Sequence, residues 1–148
     1  MPRIERTADV TWSGNVARGD GKISGHSGAI QLLPFSLATR IGNPEGKTSP
    51  EELMAAAVGS CFAMSLAGEL TQAGSPPELI SVDAKCVVDE VAGSHVVTEV
   101  QLTARARVPE LGDEDFQRIA REAEEGCTMA HLVRGTAAVT LSASLDSD

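Results

Sequence analysis

Tyrosine is absent, and the remaining aromatics are one tryptophan and three phenylalanines. So few rings offer no stacking platform for bases. The core must be filled by Ala, Val, Leu and Ile. Basic residues are also scarce: 12 Lys and Arg stand against 21 Asp and Glu, a net charge of −9. That balance argues against nucleic acid or an anionic membrane surface as a partner. Cysteine occurs three times, at Cys61, Cys86 and Cys127, with no C-x-x-C and no H-x-x-x-H. An odd, widely spaced set does not read as a disulfide framework or a structural zinc site. Cysteine chemistry here would be that of a reactive thiol. No window of about 18 residues is both apolar and uncharged. The first twenty residues hold no apolar run of signal-peptide length. The expectation is a cytoplasmic protein with no membrane span.

What is present fits one domain, residues 1–148. The chain is 42% hydrophobic, enough to bury a core. Residues 7–14 alternate, with Ala8, Val10 and Trp12 on one face, and predict a half-buried strand. Glycines at 14, 19, 21, 25 and 28 mark turns between short strands, with a further strand near 28–33. Residues 34–49, broken by Pro34, Gly42, Pro44 and Gly46, read as irregular. Ser49-Pro50-Glu51-Glu52 is a helix start: Ser49 caps, Pro50 suits the first helical position, and Glu52 completes a capping box. The helix predicted over 50–73 is apolar nearly all round, so it needs cover on every side. One small domain rarely supplies that, which points to a partner subunit. Strands over 79–90 and 95–108 follow, joined by Ala92-Gly93-Ser94. Asp113 caps an amphipathic helix with Phe116, Ile119, Ala120 and Ala123 inward. A short helical turn over Cys127–Arg134 and a strand over 136–145 complete the order βββ-α-ββ-α-β, an α+β domain.

Cys86 lies on the apolar face of a strand and reads as core. Cys61 lies within the apolar helix, where free cysteine is commonly a small hydrophobe. Gly59-Ser60 directly before it can break a helix. Such a break would set Cys61 at a fresh N-terminus, where the dipole favours thiolate. Cys127 follows Gly126 at the junction of two helical segments. His131, four residues on, would be the partner in a Cys–His hydrolase, but no orienting Asn or Asp stands in a known pattern.

Pro50-Glu51-Glu52-Leu53, then Ala56-Ala57, then Cys61-Phe62 resembles the P-E-x-L…A-A…C-F signature of the OsmC/Ohr family of thiol peroxidases. Gly126-Cys127 falls where that family keeps its G-C element, with Thr128 in place of the usual proline. Trp12-x-Gly14…Arg18-Gly19-x-Gly21 and Phe35…Thr39-Arg40 resemble the OsmC branch. The resemblance implies the OsmC-like fold, antiparallel sheets wrapped around central helices in an intertwined homodimer. It implies Cys61 as the peroxidatic thiol and Cys127 as the resolving one. Arg40 is the implied activator of Cys61, with Arg18 the runner-up from the Ohr branch. A guanidinium about 4 Å from a thiolate contributes on the order of 4 kcal/mol, comparable with the cost of burying the thiolate. Glu51 is the implied holder of that arginine. The resemblance further implies organic hydroperoxides as favoured substrates over hydrogen peroxide. It implies no cofactor, and an external dithiol as reductant, with lipoyl-bearing proteins as the family's donors. Apolar residues around Cys61, Phe62 among them, are compatible with an apolar substrate pocket. The alternative is a non-catalytic redox-sensing or ligand-binding protein on the same fold.

Overall fold

A computed structural model describes residues 2–147. Contacts fall into two compact units, Met1–Pro50 and Glu51–Asp148. The first holds an antiparallel sheet in the order β1-β2-β3, with β1 Ala8–Ser13, β2 Asp20–Gly25 and β3 Leu33–Phe35. Two expectations change here. Strand β1 is not half-buried: it is exposed along its whole length, Val10 at 60% and Trp12 at 40%. A three-stranded sheet cannot cover both faces of its own edge. The third strand begins at Leu33 rather than near residue 28, because Gly28 and Leu32 both take positive φ and turn the chain first. Pro34 is tolerated in β3 because β3 is an edge strand.

The segment read as irregular contains a short helix, α1, Leu37–Ile41. Ser36 caps it, its hydroxyl accepting the Thr39 N–H. Arg40 lies in its last turn, where a cation meets the negative end of the helix.

The second unit opens with α2, Pro50–Gln72, and continues through the hairpin β4 Leu79–Val91 and β5 Ser94–Arg107. Ala92 and Gly93 both have positive φ, the requirement of a two-residue hairpin turn that matches strand twist. Helices α3 Asp113–Glu125 and α4 Thr128–Arg134 then lead to β6 Ala138–Leu145. Gly112, not Asp113, occupies the cap position of α3. The sheet order is β4-β5-β6, and it is mixed rather than antiparallel: β5 and β6 run parallel. The α3–α4 crossover returns the chain to the same end of the sheet before β6 begins, which makes the pairing parallel.

Val58, Phe62, Leu66 and Leu70 of α2 form one buried row, which meets Val100, Leu102, Ala104 and Ala106 of β5 and Phe116, Ile119 and Ala120 of α3 in a single core. By length and composition α2 would cross a bilayer, yet this row is buried in that core. Its opposite side is open. Ala56, Ser60, Met64 and Gly68, four residues apart, are exposed, Met64 at 70%.

Candidate active site

The helix break that Gly59-Ser60 could have introduced does not occur, and α2 is continuous from Pro50 to Gln72. Ser60 turns its hydroxyl back onto the Ala57 carbonyl at 3.2 Å, satisfying itself within the helix. Gly59 serves packing instead. A Cβ there would stand 3.1 Å from the Ala84 Cβ of β4, so the missing side chain lets helix and strand approach closely. Cys61 therefore sits mid-helix and half-buried, with no helix N-terminus beneath it. Phe62, expected near a substrate pocket, is 0% exposed and belongs to the core.

Cys127 is 1% exposed at the cap position before α4. Cys61 is close enough to the Cys127 thiol to raise that thiol's pKa, and it packs against the core cluster to which Cys127 belongs. Two cysteines separated by most of the second unit's length thus meet at one point. Burial pushes the Cys127 thiol above its ordinary pKa, and the Cys61 sulfur adds to the rise. The N–H groups of Ala130 and Met129, at the start of α4, pull in the opposite direction without closing a capping bond to the side chain. Thr128 is the first residue of α4, a position where proline is also at home. The turn thus forms without the family's proline. His131 is exposed and donates its backbone N–H to the Cys127 carbonyl at 2.9 Å.

Glu51, in the first turn of α2, is close enough to Cys86 for its carboxylate to raise that thiol's pKa, second to burial. Cys86 is half-buried on β4 and packs against the core. The neighbourhood of Glu51 and Cys86 carries no sequence signal, since it depends on how α2 crosses β4. Along the unbroken helix, Glu51 and Cys61 are about 15 Å apart.

In the first unit, Arg40 lines a cavity of about 390 Å³ with Trp12, Val16, Phe35 and Leu37. The rings of Trp12 and Phe35 stand 5.6 Å apart and 44° from parallel. Arg18 is exposed in the β1–β2 turn, its backbone N–H donating to Asn15 Oδ1 at 2.9 Å. Arg40 shares a cavity with apolar side chains, and Arg18 does not line it.

The model of the OsmC-like protein family matches residues 42–142, a span that includes both Cys61 and Cys127. The chain is also 32% identical over 144 residues to peroxiredoxin OsmC of Escherichia coli, covering 97% of this chain and 99% of that one. The chain belongs to the OsmC-like family. Among solved structures it resembles the organic hydroperoxide resistance protein OhrB of Bacillus subtilis, with a TM-score of 0.73 at 22% identity over 93% of this chain and 97% of that one. An organic hydroperoxide resistance protein from Elizabethkingia anophelis matches with a TM-score of 0.73 at 24% identity, over 99% and 100% of the two chains. These structures share the family's fold with this chain.

Proposed function

We propose that the protein is a thiol-dependent peroxidase that reduces organic hydroperoxides, with hydrogen peroxide a poorer substrate. The observation that carries this reading is the meeting of Cys61 with the buried Cys127. Membership of a family that includes a peroxiredoxin supports it. Cys61 thiolate attacks the outer oxygen of the peroxide. The O–O bond breaks, Cys61 becomes a sulfenic acid, and the alcohol leaves after taking a proton. Cys127 then attacks the sulfenic sulfur, forming the Cys61–Cys127 disulfide and releasing water. An external dithiol reduces that disulfide and restores both thiols; lipoyl-bearing proteins fit this role by resemblance to the family. The apolar cavity beside Arg40 suits an alkyl group better than water, which favours organic over hydrogen peroxide.

Arg40 is the proposed activator of Cys61, Arg18 the alternative, and Glu51 the proposed partner of the arginine. The 15 Å that separate Glu51 from Cys61 along α2 fit a site built from two chains. The open row of α2 and the exposed Val10 and Trp12 fit the same homodimer. We read the 148 residues as one functional domain, located in the cytoplasm. The test is turnover with cumene hydroperoxide and dithiothreitol. A peroxidase consumes many equivalents per protein, and consumption that stops near one equivalent would contradict the reading.

A further inference from the structure

The proposed chemistry leaves unused a set of polar side chains closing on the C-terminal end of α3, just before Cys127. The last four carbonyls of a helix have no partner within it. At the end of α3, two consecutive ones are taken by side chains from other helices. Ser65 on α2 donates its hydroxyl to the Ala123 carbonyl at 2.7 Å. Arg134, at the end of α4, donates from Nη2 to the Glu124 carbonyl at 3.2 Å and also pairs with the Glu124 carboxylate. The same Glu124 carbonyl accepts the Cys127 N–H at 3.2 Å. The Glu124 side chain is 16% exposed and Arg134 37%, so the carboxylate is shielded while the guanidinium still meets water.

These bonds have a common geometry. Ser65 lies four residues beyond Cys61, one turn along the same face of α2. Its bond therefore fixes the end of α3 to the helix that carries Cys61. Arg134 spans the turn from the other side, tying the end of α4 back to the residue that holds the Cys127 N–H. Gly126-Cys127 thus follows directly on two consecutive carbonyls, each held by a side chain from another helix.

We propose that Ser65 and Arg134 are positioning residues that hold Cys127 against Cys61 and set the rate of disulfide closure. The proposal rests on the peroxidase reading above. In the closure step the Cys127 sulfur bonds to the sulfenic sulfur of Cys61, the S–O bond breaks, and hydroxide leaves with the Cys127 proton as water. The competing step is attack of the sulfenic acid on a second peroxide, which gives a sulfinic acid and an alcohol. A loosened turn slows only the first of these. The initial attack by Cys61 does not involve it.

The experiment compares wild type with Ser65→Ala, Ser65→Thr, Arg134→Gln and Arg134→Lys under excess cumene hydroperoxide. Two quantities are read: the rate of the first peroxide turnover, and the fraction of Cys61 found as sulfinic acid by intact mass and peptide mapping. Ser65→Ala and Arg134→Gln should keep the first-turnover rate while the ratio of sulfinate to disulfide rises about fivefold, the effect of one lost hydrogen bond. Ser65→Thr, which retains a hydroxyl, and Arg134→Lys, which retains a donor, should recover most of the wild-type ratio. If one position does not tolerate substitution, the other still decides, since each bond grips its own carbonyl. An unchanged ratio in a folded variant, or a fall in both rates together, would overturn the proposal. A wild type that forms neither sulfenic acid nor disulfide would instead overturn the peroxidase reading beneath it.

Discussion

At the scale of single residues, the account turns on how differently three thiols are placed. The Cys127 thiol is influenced by Cys61, whereas the Cys86 thiol is influenced by Glu51. Cys61→Ser should abolish peroxide consumption and Cys86→Ser should leave it nearly intact; a steady-state assay with cumene hydroperoxide reads both. The thiol of Cys127 is held above its ordinary pKa, with burial the main cause. Thiolate is the attacking form, so disulfide closure should accelerate from neutral to alkaline pH, levelling only at the raised pKa. Stopped-flow measurement of closure checks this, and a rate independent of pH would contradict it. The stability effect has the opposite sign. A raised folded-state pKa means the native protein binds the Cys127 proton more tightly than the unfolded chain. The resulting stability is present below the ordinary thiol pKa and is lost as pH climbs through the raised value. The denaturation midpoint should therefore fall in the alkaline range, and fall less in Cys127→Ser.

At the scale of elements, α2 joins the core to the chemistry. Phe62→Ala should cost about 3–5 kcal/mol, because the ring is fully buried. Gly59→Val should cost about 1–3 kcal/mol by forcing α2 away from Ala84. Denaturant unfolding measures both, and a neutral Gly59→Val would show that the helix–strand approach is not tight. This helix was readable from its first four residues, since Ser49-Pro50-Glu51-Glu52 carry the start signal locally. The hairpin was equally legible in Ala92-Gly93, and the buried row of α3 in its spacing. What could not be read depends on tertiary placement. Gly59-Ser60 carries the composition of a break, but the packing of Gly59 on β4 and the back-bond of Ser60 keep the helix whole. Helix α1 is too short for periodicity to reveal, and only the cap residue Ser36 marks it. The parallel pairing of β6 follows from the crossover path, not from any residue within β6. In the site, the two cysteines were legible through family motifs, whereas Ser65, Arg134 and the effect of Glu51 on Cys86 were not. Each of those depends on carbonyls or side chains brought together from distant segments.

At the scale of the whole molecule, several large hydrophobic side chains are left exposed. Met64 at 70% exposure on α2 and Val10 at 60% on β1 are costly to leave in water. The proposed two-fold dimer covers such surfaces and lets Arg40 or Glu51 reach Cys61 from the opposite chain. Its melting temperature should rise with protein concentration, and a concentration-independent value from a fully active monomer would contradict it. The central claim, however, is chemical: peroxide oxidises Cys61 and Cys127 resolves it. Intact mass with disulfide mapping after one equivalent of cumene hydroperoxide tests it most directly. The account predicts a loss of two hydrogens in the wild type, with Cys61 joined to Cys127, and added oxygen on Cys61 in Cys127→Ser. A disulfide that pairs Cys61 with Cys86, or a Cys61 left unmodified, would contradict it.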